Sequence, residues 1–265
     1  MLNAITPVIL TNNEAHNIRR TLHKLGWAND IVVVDSGSTD DTIRILERTP
    51  RVRIFHRPLD THCGQWRYAT METGISTPWI LRLDADYQLS DALIGELSSL
   101  DPIGPEVAYR IAFDYAIFSR KLIASLYPPN TILLKRGHFS VVDAGHTEKW
   151  AIDGPIGDLK SRIVHDDWKS MTDWLPRQVG YMSREMSKLE TRRSGLRDWL
   201  RMHPPLMPIA VFLHCLFVKG LVFSGAAGLL YTFQRTIAES MLALLLLEKR
   251  VRPKSPEGRA GNRLS

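Results

Sequence analysis

Asp84 and Asp86, separated by Ala85, close the apolar run Trp79-Ile80-Leu81-Arg82-Leu83. That placement points to a divalent cation held beside a diphosphate. Carboxylate oxygens suit Mg2+ or Mn2+, and such a cation neutralises the charge that develops on a departing diphosphate. Upstream, Ile31-Val32-Val33-Val34 likewise ends in a carboxylate, Asp35, and passes into Ser36-Gly37-Ser38-Thr39-Asp40, a turn able to open a helix. An Asp-x-Asp step alone is weak, because loops after strands are often acidic for solubility or capping. Two apolar strands that bring acids to one sheet edge are a stronger signal. Downstream stand Asp143, Glu148 in His146-Thr147-Glu148, and His165 in Val164-His165-Asp166. Glu148 reads as a general base or as a surface acid beside Lys149, with Asp143 the rival base. His165 reads as a metal or phosphate ligand, or as a histidine bonded to its neighbour Asp166 or Asp167. Trp150, Trp168 and Trp174 are candidate sugar-stacking faces or core.

The elements that must position these residues alternate β-rich runs with helical periods over the first hundred residues, the pattern of a mostly parallel sheet with crossover helices. Strands are expected near 5–10, 31–34, 52–56 and 79–83, with Pro7 awkward inside the first because proline donates no ladder hydrogen bond. Ile18, Leu22 and Leu25 recur at helical spacing after Asn13. In open sheets of this kind ligands bind beyond the carboxyl ends of the strands, where Thr11, Asn12, Glu14, Asp35, Ser38, Asp84 and Asp86 fall. Between Val107 and Ile117 the pattern becomes a strict alternation and reads as an antiparallel or edge strand. Further short strands are expected near 131–134, 139–142 and 162–164, and a helix from about Thr172.

With 265 residues and 44% hydrophobic content, the chain has room for one α/β domain plus an appendage. The net charge of +6 is compatible with nucleic acid, a membrane surface or phosphorylated substrates. Its placement decides: Lys249, Arg250, Arg252, Lys254, Arg259 and Arg263 follow an apolar stretch with no interleaved aromatic platforms, which favours an anionic membrane surface over nucleic acid. Two cysteines are too few for a disulfide scaffold. The amino terminus lacks a signal-type pattern, so the expected location is the cytoplasmic side of the inner membrane. Pro204-Pro205 and Pro208 mark a boundary, giving segments 1–170, 171–203 and 204–265. The last is apolar but interrupted by Lys219-Gly220, so it reads as a helical hairpin in the membrane interface, or as soluble helices packed in a domain or dimer.

The chain resembles glycosyltransferase family 2, whose members have the A-type glycosyltransferase fold. The matching stretches are Thr11-Asn12-Asn13-Glu14 with Asn17, Val33-Val34-Asp35-Ser36-Gly37-Ser38-Thr39-Asp40-Asp41-Thr42, Arg67, and Leu83-Asp84-Ala85-Asp86. Glu148 with Gly154, Val164-His165-Asp166 and the Trp174 to Tyr181 stretch resemble the branch that glycosylates lipopolysaccharide core and related envelope glycans.

The resemblance implies an inverting transfer from a nucleotide sugar, a uridine diphosphate sugar by expectation, to a glycan or lipid-linked acceptor. It implies that Asp35 contacts the base, Thr11 and Glu14 the base and ribose, and Asp84 the ribose or metal. Asn12, Ser38 and Arg67 would line the donor site, Asp86 would hold Mg2+ or Mn2+ with His165, and Glu148 or Asp143 would take the acceptor proton. Tyr68 after Arg67 departs from the more usual Asn, which loosens the phosphate-side assignment. A nucleotidyltransferase would need a Gly-rich, Arg/Lys-bearing loop after strand one, which Thr11-Asn12-Asn13-Glu14 lacks. A non-catalytic membrane adaptor on the same fold would not need acids at 35, 84 and 86.

Overall fold

The computed structural model describes residues 1–143, 148–191 and 195–252. The chain divides into two compact units, residues 1–168 with 219–228 and residues 169–218 with 229–265. Beside the expected segments, one division falls at 168/169 and none at 203/204, while the stretch 219–228 returns to the first unit.

The first unit is built on a mixed sheet. Strands β1 (Ile5–Thr11), β2 (Ile31–Asp35), β3 (Val52–His56) and β4 (Trp79–Asp84) run parallel in the order β3-β2-β1-β4. Their crossovers are α1 (Ala15–His23), α2 (Thr42–Glu47) and α3 (His62–Met71). The three inner strands β1, β2 and β4 are mostly apolar because helices or loops cover both faces, while the edge strand β3 is only half-buried and carries Arg53. Pro7 is accommodated with a register partner on one side only, Leu81 of β4; pairing with β2 begins at Val8. Ile18 and Leu22 of α1 enter the larger core with Leu25, as their spacing requires. On the opposite face, Trp66 and Ala69 of α3 pack with Val8, Val32, Val34 and Ile80. Thr61 caps α3 by accepting from the amide of Gly64 at 2.9 Å.

Beyond β4 come β5 (Tyr87–Gln88), α4 (Asp91–Ser99), β6 (Ala108–Ile117), β7 (Arg120–Lys121), β8 (Asn130–Lys135), β9 (Phe139–Asp143), β10 (Glu148–Ile152) and β11 (Ile156–Asp167). The sheet continues β4-β8-β6-β11-β5, with β7 beside β6. The alternating strand 107–117 is therefore not an edge. β6 is antiparallel to β8, as its alternation allows, but its other side is filled by β11 running parallel. The sequence marks β11 only at 162–164 because its first half is exposed and polar and its pairing is broken between Asp158 and Arg162. β9 and β10 form a separate hairpin whose Phe139, Val141 and Trp150 pack on the α3 face.

The second unit is helical. It holds α5 (Met171–Thr191), α6 (Gly195–Arg201), α7 (Leu206–Leu213), a π-helical turn over His214–Val218, and α8 (Gly225–Val251) beyond its first turn. Met182, Leu189, Ala238, Leu242 and Leu246 form its core. The basic stretch that ends at Arg201 is not all surface. Arg201 is 5% exposed and forks onto Glu239, 3% exposed, with Nε to Oε2 at 3.0 Å and Nη2 to Oε1 at 2.6 Å. Such a pair fixes which helices meet rather than adding much net stability, since desolvation offsets most of its Coulomb gain.

Candidate active site

The carboxyl ends of β2, β1 and β4 lie side by side, with Thr11 opposite Asp35 and Leu10 opposite Asp84 in register. Three loops leave the sheet there. In the first, the Asp35 carboxylate, 1% exposed, is enclosed by its own turn. It accepts from the amides of Gly37 and Ser38, each at 2.9 Å, and from the Ser38 hydroxyl. Gly37 stands at φ +91°, a conformation that a side chain would strain. This turn is cross-linked to the loop after β1. Asn13 takes the Thr39 amide on its side-chain oxygen at 2.7 Å, gives its own amide to Ser38 Oγ at 2.8 Å, and adopts φ 55° to do so. Asn12 Nδ2 reaches the Ser36 carbonyl at 3.1 Å, and the amide of Glu14 reaches Thr42 Oγ1 at 2.9 Å. Glu14 is buried and accepts from Asn17 Nδ2 at 2.7 Å. Buried Thr11 Oγ1 has no hydrogen-bond partner among the described residues.

In the third loop, Asp84 ends β4 and Asp86 turns into β5. The short β5 pairs with β11, setting Tyr87 opposite His165. That bridge brings His165 Nε2 to 3.2 Å from Asp86 Oδ2, across 79 residues of sequence. The imidazole does not bond its sequence neighbour Asp166, whose carboxylate is taken by Arg20 and Ser119. Burial presses His165 toward its neutral form, but the charge and hydrogen bond of Asp86, with Asp84 and Asp167 beyond, raise its pKa above the usual histidine value. Its ring is enclosed by Tyr115 and Tyr127, each at 4.7 Å between centroids, and by Tyr87 at 5.3 Å. The hydroxyls of Tyr87 and Tyr127 meet at 2.5 Å. Burial, then the nearby Asp84, raises the pKa of both phenols. Both stay neutral and polarise one another through that bond.

The structure thus brings Thr11, Asn12, Glu14, Asp35, Ser38, Asp84, Asp86 and His165 to the carboxyl edge of one unit. Arg67 is exposed on α3 and gives Nη2 to the Val141 carbonyl at 3.2 Å, tying α3 to β9. Asp143 and Glu148 are register partners, the last pair described before the β9–β10 connection. Their side chains and residues 144–147, including His146, lie outside the described residues. Trp150 packs with Trp66 and Phe139, Trp168 lies under the Arg20 guanidinium, and Trp174 is buried, so these rings serve packing.

Two contributors carry no sequence signal. Gln65, 1% exposed, gives Nε2 to Ser36 Oγ, Arg57 O and Pro58 O, anchoring α3 to the Asp35 turn. The tyrosines around His165 come from three separate segments without shared periodicity. The oxygens of Asp84 and Asp86 fit Mg2+ or Mn2+ in type, whereas an imidazole such as that of His165 suits the transition metal of the two, Mn2+. Among the described residues no group of three His, Cys, Asp or Glu is arranged to hold an ion by itself. Mg2+ in nucleotide sites is commonly held by one or two carboxylates together with substrate phosphates.

Residues 7–101 match the family model described as Glycosyl transferase family 2. An "Uncharacterized glycosyltransferase" of Rickettsia felis is 36% identical over 94 residues, 35% of this chain and 32% of that protein. The "Lipopolysaccharide core biosynthesis glycosyltransferase LpsC" of Rhizobium meliloti is 32% identical over 110 residues, 40% of each chain. The match to the Rickettsia protein thus spans about a third of that relative's length. Among solved structures, TarS 1-349 of S. aureus aligns over 89% of this chain and 90% of its own at 12% identity and a TM-score of 0.47. Thr11, Asp35, Asp84 and Asp86 all fall within residues 7–101, the stretch that matches the glycosyl transferase family 2 model.

Proposed function

We propose that the protein is an inverting, metal-dependent glycosyltransferase that moves a sugar from a uridine diphosphate sugar to a lipid-linked or lipopolysaccharide-type glycan. The observation that carries this is the register of the carboxyl edge, where Thr11, Asp35 and Asp84 stand on neighbouring parallel strands and Asp86 meets His165. The four residues Thr11, Asp35, Asp84 and Asp86 lie inside the stretch that matches the family 2 model. Asp35, Thr11, Asn12, Glu14 and Ser38 would receive the base and ribose, and Asp84 the ribose or the ion. Asp86 and His165 would hold Mg2+ or Mn2+, which when bound neutralises the diphosphate. The relative from Rhizobium meliloti, named for lipopolysaccharide core biosynthesis, supports the acceptor class.

In the reaction the acceptor oxygen forms a bond to the anomeric carbon from the face opposite the leaving group. The bond from that carbon to the diphosphate oxygen breaks, and its electron pair leaves with the nucleotide. The acceptor proton passes to a carboxylate on the attacking face, assigned to Glu148 with Asp143 as the alternative.

The helical segment would hold the protein on the cytoplasmic face of the inner membrane. Ile209, Leu213 and Phe217 are exposed along α7 and its π-helical extension. Lys249, Arg250 and Arg252 follow at the end of α8. No single described helix is long and apolar enough to cross a bilayer; the pair Leu206–Val218 and Leu221–Val251 would do so only as a span bent by 71°. Attachment at the interface accords with both features. The direct test is donor hydrolysis across a panel of nucleotide sugars with Mg2+, Mn2+ and a chelator. Hydrolysis of one or more uridine diphosphate sugars that stops on chelation is the expected result. Indifference to every donor would overturn the proposal.

A further inference from the structure

A cavity of about 210 Å³ opens in the first unit between β6, the segment after β7, β11 and Lys219. That is room enough for one polar group of sugar or phosphate size. We propose that this cavity is an acceptor subsite and that it takes a phosphomonoester carried on the acceptor sugar. The inference rests on the reading of the Asp84–Asp86 edge as the donor site.

Position is the first argument. Tyr115 and Tyr127 line the cavity, and the same two rings enclose His165, which bonds Asp86. An occupant therefore lies one layer of side chains from the proposed point of transfer. Charge is the second. Asp114, at the cavity wall, is bracketed by Arg162 Nε and Lys121 Nζ, each at 2.6 Å. Arg162 is further fixed by giving Nη2 to the Phe113 carbonyl at 2.7 Å, so its guanidinium is held in place before any ligand arrives. Lys219 also lines the cavity, and no described carboxylate pairs with it. Of the lining residues, two cations, Arg162 and Lys219, stand against the one carboxylate of Asp114, a local charge of 2 − 1 = +1, with Lys121 just outside the lining. Such a site favours an anion with several acceptor oxygens. Ser125, also on the wall, adds a hydroxyl.

The rim is the third argument, and it bears on what carries the phosphate. Ile123 is 62% exposed and Phe223 84% exposed, and they stand beside Gly220, where a Cβ would lie 3.3 Å from one and 3.6 Å from the other. The amide of Ile123 donates to Ser224 Oγ at 3.1 Å, which ties this rim together within the unit. A cationic hollow with an apolar lip matches an anionic sugar presented on a lipid.

The test is calorimetric titration of the full chain with glucose 6-phosphate and with glucose, each with UDP and Mg2+ in excess so that the donor site is occupied. UDP is titrated first. The phosphorylated sugar is expected to bind about tenfold more tightly or better, the worth of a charge-assisted hydrogen bond. Lys219→Gln should remove that preference and leave the UDP titration unchanged, while Lys219→Arg should retain it. Ser125→Trp should fill the cavity and remove it by a second route. Equal binding of the two sugars, or a preference that survives Lys219→Gln, overturns the proposal. So does a Lys219-dependent preference for phosphatidic acid over phosphatidylglycerol vesicles with none among the soluble sugars, which assigns the phosphate to a lipid headgroup. If UDP fails to bind but the Lys219-dependent preference persists, the anion site stands and the donor reading falls.

Discussion

Asp86 has its Oδ2 against a histidine that would otherwise be an isolated buried base. Replacing Asp86 by Ala removes both the proposed ion ligand and the anion that holds His165. Turnover should fall to background with either metal while the far-UV circular dichroism is unchanged; activity that persists and ignores a chelator would contradict the assignment. Glu148→Gln keeps shape and removes basicity, so transfer should drop by roughly two to four orders of magnitude with donor affinity little altered. If Asp143→Asn has that effect instead, the base is Asp143. Asp35, Asp84 and Asp86 were legible in the sequence because each follows an apolar run that must be a buried strand, which fixes the edge where it ends. The tyrosines at 87, 115 and 127 were not, because their convergence on His165 depends on the β5–β11 bridge and on a loop packing back over the sheet. Gln65 was hidden for a similar reason: its three acceptors belong to loops that only the fold brings together.

At the scale of elements, the βα repeats were readable from apolar runs alone, and the mixed α/β architecture implied by the A-type resemblance is present. What the sequence concealed were elements without a hydrophobic period. β5 is two residues long, and the pairing of β11 is broken in its middle. The outer pair β2–β3 shows how the sheet edge is held. Asp30, just before β2, binds Arg53 of β3 at 2.7 Å and 2.8 Å and accepts from Thr6. The Arg53 hydrogen bonds hold the Asp30 carboxyl below the usual carboxylate range despite burial. A carboxylate with a depressed folded-state pKa adds stability above its unfolded value, about 3.9, and that stability is lost as pH falls through the depressed one. Asp30→Asn should therefore lower the melting temperature at pH 7 and flatten its decline in acid. A variant whose melting curve tracks the parent at every pH would show that the pair contributes nothing. Arg53 is half in solvent, so the effect should be modest and weaker in high salt.

For the whole molecule, the test of membrane attachment has to respect how the chain is divided. Removing residues 204–265 would also remove 219–228 from the first unit, and would leave buried Arg201 without Glu239. Point changes on the exposed apolar face are cleaner. Ile209→Asp with Phe217→Asp should reduce flotation with anionic vesicles and spare nucleotide binding, because both residues are solvent-facing. High salt should weaken the parent's attachment without abolishing it, since each basic residue near an anionic surface adds about 1 kcal/mol that screening removes while apolar insertion remains. A parent protein that stays out of the floating fraction at low salt would assign these side chains to a contact between protein chains.

The polypeptide passes from one unit to the other three times, at 168/169, 218/219 and 228/229. A single proteolytic nick at any of these points would give two fragments, at least one of which holds pieces of both units. The nicked protein should therefore elute as one particle under native conditions and fall into two bands only in denaturant. The same connectivity makes the break after Trp168 a natural place to express the protein as two co-produced polypeptides. The shorter downstream piece, residues 169–265, would carry residues 219–228 to complete its partner, and activity would return only when both are made together.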